Sequence, residues 1–365
     1  MTRSRTRRPA VTRRHPPASL RTTIGRLLVV GIPGFEIDAA TREALEELCV
    51  GGVILFKRNV DTPAQIRALT RALHSLRPRP LISIDQEGGR VARLRNPFTE
   101  FPAAAVVGRN GDAGLARNIG EAIGRELSAV GIDVDYVPVL DVHSNANNPV
   151  IGDRAFASDP ETVARFAIAM MRGLRAGGVI PCGKHFPGHG DTATDSHHEL
   201  PVVKRSRTGL DQIELAPFRA AISAGIPMLM TAHVVYPALD PKCPATVSPA
   251  IIDRLLRQGM GFEGVVASDD LHMRAISASQ SIAKAAVDSV AAGVDQLLVC
   301  HDLGEAKKVV EAIAAAIDDG SLKLTKVERA SQRILKLMRS HARHRPKQCR
   351  LPNTRHQRLV RQFFS

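Results

Sequence analysis

The sequence predicts an α/β fold that consists of a single (β/α)8 TIM-type barrel. Eight short apolar and mostly β-branched runs alternate with helical patterns between residues 26 and 338. Their consecutive apolar positions are typical of strands that are buried on both faces of a parallel sheet. The eight expected strands are Leu27–Gly31, Val53–Phe56, Leu81–Asp85, Val134–Leu140, Val179–Cys182, Met228–Ala232, Gly264–Ser268 and Gln296–Cys300.

Helix-start and helix-stop signals lie between the apolar runs. Asp38 is the expected N-cap of one helix, and Thr62 with Pro63 begins the next one. Three later helices, each ending at a glycine, are expected at 159–178, 279–293 and 304–320. A final amphipathic helix is expected at Thr325–Leu337. A doubly wound open sheet is the alternative fold. The turn after the first strand reads GIPGFE, however, and lacks the GxGxxG pattern that this alternative favours.

The positive charge of the chain is concentrated at its two ends. Of 50 basic residues, residues 1–22 and 339–365 together hold 15 and no acidic residue, so the segment between them is nearly neutral. We therefore expect a barrel domain at 23–338 between two flexible basic tails. Such tails can bind nucleic acid or anionic membranes. A nucleic-acid-binding domain would also offer stacking aromatics, and this chain has no Trp and two Tyr.

Cysteine spacing and hydropathy indicate the cellular compartment. The five cysteines are scattered and form no CxxC pair, which argues against a disulfide framework or a zinc-thiolate site. No run approaches the roughly 18 apolar residues of a membrane span, and the Arg-rich start has no apolar core of a secretion signal. We expect a cytoplasmic protein.

Polar residues follow several predicted strands at their carboxyl ends, where barrel enzymes place their chemistry. The segments read IDQEGGRVARLR, VPVLDVHSNANNPVIGDR, TAHVVYP and ASDDLHM. In ASDDLHM, Asp269 and Asp270 are neighbours on an extended strand, so we expect only one of them to face the barrel centre. That carboxylate could be a nucleophile or a metal ligand. The alternative is a helix N-cap.

The segment GKHFPGHGDTATDSHHELP, at 183–201, has three interpretations. It could be an exposed polar loop, or it could bind a metal ion through His185, His189, Asp191, Asp195 and His197. Pro187 and Gly188 rule out a helix that would carry His185 and His189 on one face. The third interpretation is a proton relay in which Asp195 orients the imidazole of His197. The unperturbed histidine pKa near 6.5 suits acid/base catalysis at neutral pH.

The motifs KHFPGHGDTATDSH, IDQEGGRVARLR, NPVIGDRAF and VVASDDLHM together resemble those of glycoside hydrolase family 3 β-N-acetylglucosaminidases. The similarity covers residues 26 to about 340 and is greatest to the single-domain bacterial type that recycles cell-wall muropeptides. The resemblance implies that Asp269 is the nucleophile and that His197 is the acid/base, with Asp195 as its partner. It implies sugar-binding roles for Asp85, Arg93, Arg154, Lys184 and His185.

The resemblance further implies a retaining exo-β-N-acetylglucosaminidase that removes terminal N-acetylglucosamine from peptidoglycan-derived muropeptides through a covalent glycosyl-enzyme. It implies no cofactor and no metal ion. We expect a small carbohydrate substrate, no membrane or nucleic-acid partner, and a monomer. The alternatives are a β-glucosidase-type or phosphorolytic member of the same family, a metal-dependent hydrolase built on the histidines, and a sugar-binding protein without catalysis.

Overall fold

The computed structural model describes residues 18–196, 200–342 and 349–363. Eight parallel strands close into a barrel in which each strand pairs with its neighbours along the chain and the first strand pairs with the last. The predicted (β/α)8 barrel is therefore confirmed. The strands are β1 (Leu28–Gly31), β2 (Gly52–Leu55), β3 (Leu81–Ile84), β4 (Val134–Asp135), β5 (Ile180–Phe186), β6 (Met228–Thr231), β7 (Val265–Asp270) and β8 (Gln296–Val299).

Helices follow the strands along the chain. They are α1 (Ala18–Gly25), α2 (Ala39–Leu48), α3 (Pro63–His74), α4 (Ala104–Asn110), α5 (Ala113–Ala129), α6 (Pro160–Ala176), α7 (Arg207–Gln212), α8 (Leu215–Ser223), a π-type helix (Ala250–Gly259), α9 (Arg274–Ser277), α10 (Ile282–Ala292), α11 (Leu303–Asp318), α12 (Leu324–Ala342) and α13 (Thr354–Arg361). Asp38 and Thr62 cap α2 and α3 with their side chains, as expected. None of the described helices has the length and apolar character needed to cross a membrane.

Both faces of the barrel strands are buried. All four residues of each of β1, β2, β3, β6 and β8 are buried. Outside the barrel, Phe186 of β5 meets Phe218 of α8 edge to face, with ring centroids 5.3 Å apart. Burial on both sides explains the consecutive apolar residues of the sequence. It also holds the carboxyl ends of the strands in one rigid ring.

Two strands differ in length from the prediction. β4 is shorter than expected because Pro138 has no N–H with which to continue the ladder. Pairing resumes as an isolated bridge between Val139 and Lys184. β5, in contrast, continues to Phe186 and so includes Lys184 and His185. Both of these polar side chains therefore extend from a strand of the barrel wall.

The structure differs from the predicted boundaries of both tails. α1 begins before residue 23, and α12 continues past residue 338. Residues 1–17 of the predicted N-terminal tail lie outside the described residues. The predicted C-terminal tail was expected to be flexible, but it carries α13, which packs against α5. Nδ1 of His356 in α13 lies 2.8 Å from Oε1 of the buried Glu126 in α5, so α13 supplies a partner for a carboxylate that is shielded from water.

We expect the substitution His356→Ala to lower the free energy of unfolding by about 1–3 kcal/mol, because a buried carboxylate loses a hydrogen-bond partner. Denaturant unfolding measures the change. Arg358→Ala is the matched control, since Arg358 is exposed on the same helix. Equal losses in the two variants would contradict a specific role for the contact between His356 and Glu126.

Candidate active site

The carboxyl ends of the strands surround a cavity of about 510 Å³. Every predicted site residue within the described part of the chain lines this cavity, namely Asp85, Arg93, Arg154, Lys184, His185, Asp195 and Asp269. His197, the predicted acid/base, lies outside the described residues. The polar segments after the third, fourth, fifth and seventh predicted strands therefore meet at one place, whereas TAHVVYP, after the sixth, contributes no lining residue.

Lys184 forms the centre of a charged wall on one side of the cavity. Its Nζ lies 2.7 Å from Oδ1 of Asp85 and 2.7 Å from Oε1 of Glu87. Lys184 belongs to β5, whereas Asp85 directly follows β3 and Glu87 lies two residues further on. The three side chains therefore connect β5 to the segment after β3, across the intervening β4.

Two arginines complete this wall. Arg154 binds Glu87 with two parallel hydrogen bonds, from Nε at 2.9 Å and from the terminal nitrogen at 2.8 Å. Arg93 donates to Oδ2 of Asp85 at 3.2 Å. The fork of an arginine matches the two oxygens of a carboxylate, which fixes the orientation of the guanidinium as well as its position.

The attraction between these opposite charges affects their pKa values more strongly than burial does. Burial alone would raise the pKa of Glu87, but the nearby Arg154 and Lys184 hold it well below its usual range. The pKa of Asp85 is lowered against the effect of burial by Lys184 and Arg93. Burial would lower the pKa of Lys184, yet Asp85 and Glu87 raise it. The wall is therefore fully ionised at neutral pH.

Asp141 supports the neighbouring histidine. Its Oδ2 lies 2.7 Å from Nδ1 of His185, and its Oδ1 accepts the backbone N–H groups of His185 at 3.1 Å and His189 at 2.7 Å. Nε2 of His185 is then left facing the terminal nitrogen of Arg154 at 3.4 Å. A buried carboxylate that bonds one ring nitrogen fixes the orientation of the imidazole. Asp141 thus fixes the imidazole of His185 through Nδ1, which leaves Nε2 directed at Arg154.

His189, which the sequence suggested only as a metal ligand, organises the segment that carries Asp195. Its Nδ1 lies 2.8 Å from Oγ1 of Thr192, and its Nε2 lies 3.2 Å from Oγ of Ser196. Burial, aided by the nearby His185, lowers the pKa of His189 to about 4, so the ring is neutral at pH 7. Both nitrogens act in hydrogen bonds that hold this segment against the cavity.

The contacts of His185 and His189 argue against the interpretation of this segment as a metal site. In the described parts of the chain, no group of three or more His, Cys, Asp or Glu side chains is arranged to hold a metal ion. Nδ1 of His185 and both ring nitrogens of His189 already have protein partners. These two histidines would have to break those bonds to use these nitrogens as ligands.

Asp269 and Asp270 end β7, and both line the cavity. The expectation that only one of them faces the barrel centre stays a prediction, since both contribute to the cavity lining. The pairing of β7 with β8 shifts in register between Ala267 and Asp270. The two carboxylates have different partners. Asp269 accepts the backbone N–H of Asp270 at 2.8 Å, whereas Asp270 binds Nδ1 of His272 at 3.1 Å and Nε2 of His301 at 2.9 Å.

Several functional residues were not singled out from the sequence. Glu87 lies inside the IDQEGG motif, and Asp141 directly follows the apolar run VPVL. The rule that polar residues at strand ends form the site of a barrel enzyme could have identified both. The pairing of Asp270 with His301 had no such signal, because the two residues are distant in sequence and come from different strand ends.

Comparison with known proteins gives consistent matches. The model of the glycosyl hydrolase family 3 N-terminal domain matches residues 19–337. A β-hexosaminidase of Nitrosomonas eutropha is 41% identical over 305 residues, covering 81% of this chain and 87% of the relative. One from Alkalilimnicola ehrlichii is 44% identical over 281 residues, covering 75% and 80%.

Solved structures show the same similarity. A glycoside hydrolase family 3 β-N-acetylglucosaminidase from Paenibacillus sp. str. FPU-7 superposes with a TM-score of 0.91 at 40% identity, covering 94% of this chain and 68% of that one. NagZ from Neisseria gonorrhoeae, in complex with N-trifluoroacetyl-D-glucosamine, gives a TM-score of 0.76 at 33% identity, covering 93% and 98%.

The closed barrel, the charged cavity and the match over residues 19–337 together show that this chain belongs to glycoside hydrolase family 3. Within the family, its relatives make it a glycosidase of the β-N-acetylhexosaminidase class.

We expect Glu87→Gln to lower kcat/KM for an aryl β-N-acetylglucosaminide by about 10-fold to 100-fold, because two buried cations lose a shared counter-ion that fixes their positions. Steady-state kinetics measures the effect, and thermal unfolding tests whether the variant is folded. Glu100→Gln is the matched control, since Glu100 pairs with Arg95 on the exposed surface. Unchanged kcat/KM in Glu87→Gln would contradict a role for the charged wall.

Proposed function

We propose that the protein is a retaining exo-β-N-acetylglucosaminidase that releases N-acetylglucosamine from the non-reducing end of peptidoglycan-derived muropeptides. The observation that carries this proposal is the presence of Asp269, Asp195 and the charged wall in one cavity. In the proposed mechanism, Asp269 is the nucleophile, and His197, oriented by Asp195, is the acid/base. The proposed sugar-binding residues are Asp85, Arg93, Arg154, Lys184 and His185.

The charged wall suits a sugar ring. Lys184 has three N–H donors, and its carboxylate partners Asp85 and Glu87 use two of them. The third donor is left for a sugar hydroxyl or for the acetamido carbonyl. Because Asp85 is ionised, it can accept a hydrogen bond from a hydroxyl group. Charge-assisted hydrogen bonds of both kinds are stronger than neutral ones.

Glycosylation is the first step. One carboxylate oxygen of Asp269 attacks the anomeric carbon while the protonated imidazole of His197 gives its proton to the glycosidic oxygen. The bond between the anomeric carbon and that oxygen breaks, and the aglycone leaves as a neutral alcohol. Asp195 stabilises the imidazolium before this transfer. The product is an ester between Asp269 and N-acetylglucosamine.

Deglycosylation is the second step. The imidazole of His197, now neutral, accepts a proton from water as the water oxygen attacks the anomeric carbon. The ester bond to Asp269 breaks, and both the carboxylate and the imidazolium are restored. Two inversions at the anomeric carbon give net retention of configuration. An imidazole also avoids placing a second anion beside Asp269, where two carboxylates would raise each other's pKa.

The contacts of the two adjacent aspartates support the choice of nucleophile. Asp269 accepts the backbone N–H of Asp270 through Oδ1, and no ion pair of Asp269 is found among the described residues. The carboxylate of Asp270 is bound by His272 and His301 instead. Asp270 is therefore suited to hold this end of β7 in place.

We also propose that the protein acts in the cytoplasm and as a monomer. The cysteines are free thiols, which fits a reducing compartment.

We expect Asp269→Asn to lower kcat for an aryl β-N-acetylglucosaminide by about 1,000-fold or more, because no covalent glycosyl-enzyme can form on the amide. Mass spectrometry of the wild type, treated with a fluorinated N-acetylglucosaminide whose ester hydrolyses slowly, should locate the added sugar on Asp269. Near-wild-type turnover by Asp269→Asn would show that another residue is the nucleophile.

The substrate proposal is tested with an N-acetylglucosaminyl-anhydromuropeptide, with and without phosphate, and again in the presence of a chelator. We expect free N-acetylglucosamine as the product under all three conditions. Formation of N-acetylglucosamine 1-phosphate would indicate a phosphorylase. Loss of activity with the chelator, restored by added metal ion, would indicate a metal-dependent hydrolase. Cleavage of the aryl substrate alone would reject the muropeptide as substrate.

A further inference from the structure

An ion pair holds the beginning of the segment that carries Asp195. It joins Asp191, four residues before Asp195, to Arg205, two residues before α7. A terminal nitrogen of Arg205 is 3.0 Å from Oδ1 of Asp191. Both side chains are about three-quarters buried, at 23% and 26% exposure, so the contact is partly shielded from water.

Arg205 also connects this segment to the body of the barrel domain. Its Nε lies 3.0 Å from Oε1 of Glu214, the residue directly before α8. Its terminal nitrogen donates to Oγ of Ser144, in the loop after β4, at 3.2 Å. One guanidinium therefore joins Asp191 to two separate parts of the scaffold. We name Asp191, Arg205, Glu214 and Ser144 the Arg205 clamp.

Glu214 is a fixed anchor for the clamp. The residue is fully buried, and burial raises its pKa to about 7, although the positive charge of Arg205 opposes the shift. The backbone of Gly188 passes so close that an added Cβ would lie 2.7 Å from Cβ of Glu214. The phenol of Tyr236 donates to the carbonyl oxygen of Gly188 at 2.5 Å. Glu214, one member of the clamp, therefore packs tightly against the backbone of Gly188, shortly after β5.

Further hydrogen bonds attach the segment at other points. The side-chain amide of Asn148 donates to the carbonyl oxygens of His189 and Gly190, at 2.8 and 3.0 Å. At the other end, the carbonyl oxygen of Ser196 accepts the backbone N–H of Ala275, at 3.2 Å. The contacts of Arg205 differ from these because, among the described contacts, they connect Asp191 to Glu214 at the start of α8.

We propose that Arg205 is a positioning residue which, through the Arg205 clamp, fixes the segment from Asp191 to Ser196 so that Asp195 is held at the cavity. This inference rests on the proposed role of Asp195 in acid/base catalysis. Arg205 does not line the cavity and touches no reacting atom. Its loss should therefore impair proton transfer more than sugar binding.

The leaving group of the substrate distinguishes these two effects. General acid catalysis contributes about 100-fold to 10,000-fold, and a poor leaving group needs it most. A 4-nitrophenolate leaves readily without a proton, whereas a phenolate is much more basic. A displaced acid/base should therefore slow the cleavage of phenyl β-N-acetylglucosaminide far more than that of the 4-nitrophenyl compound.

The experiment measures kcat and KM of Arg205→Met on these two substrates. We expect kcat/KM to fall about 30-fold or more for the phenyl substrate, with KM nearly unchanged, and less than about 5-fold for the 4-nitrophenyl substrate. Arg205→Lys keeps the charge and should restore part of the loss. Arg207→Met is the matched control, because Arg207 pairs with Asp211 on the exposed surface two residues away.

A second variant tests the proposal independently, in case Arg205→Met does not fold. Asp191→Asn removes only the loop side of the clamp and leaves the contact between Arg205 and Glu214 in place. We expect Asp191→Asn to show the same selective loss on the phenyl substrate. Equal losses on both substrates, or no loss in folded variants, would overturn the positioning role. A wild-type enzyme that cleaves neither substrate would instead contradict the proposed function.

Discussion

The cavity depends on one buried contact, that of the Lys184 ammonium with Asp85 and Glu87. At 3% side-chain exposure, an unpaired ammonium would be strongly destabilised by the loss of water. Two carboxylates at 2.7 Å replace the water, and they in turn hold Arg154 and Arg93 in fixed orientations. Removal of Glu87 alone would leave the buried guanidinium of Arg154 without its carboxylate partner. The same attraction therefore connects the ends of β3 and β5 and presents donors and acceptors to the cavity.

The other wall of the cavity shows the reverse arrangement. Asp269 accepts a backbone N–H but, within the described chain, has no cationic partner, whereas the adjacent Asp270 is bound by two histidines. Hydrogen bonds to a carboxylate occupy the lone pairs that a nucleophilic attack would use. This contrast between two neighbouring aspartates supports the nucleophile role proposed for Asp269. The pairing of β7 with β8 shifts in register at this end of the strand.

Much of this arrangement could be predicted from the sequence, and the exceptions have physical causes. The barrel was predictable because strands buried on both faces require consecutive apolar residues. Lys184 and His185 were placed correctly at a strand end, although only the structure shows that β5 continues through them. The contacts of His185 with Asp141, and of Asp270 with His301, join residues that are distant in sequence. α13 was missed because its amphipathic pattern is masked by arginines and its buried contact depends on a histidine.

The two halves of the site are supported in different ways, and this difference bears on catalysis. The charged wall is built on β5 and on residues close to β3, so its geometry is set by the barrel itself. The segment that carries Asp195 is held by side-chain contacts from His189, Asn148 and Arg205. Each of these contacts can be altered without removing a residue of the charged wall. Under the proposed function, changes in the charged wall should therefore act mainly on binding, and changes in the supports of the segment should act mainly on the rate of proton transfer.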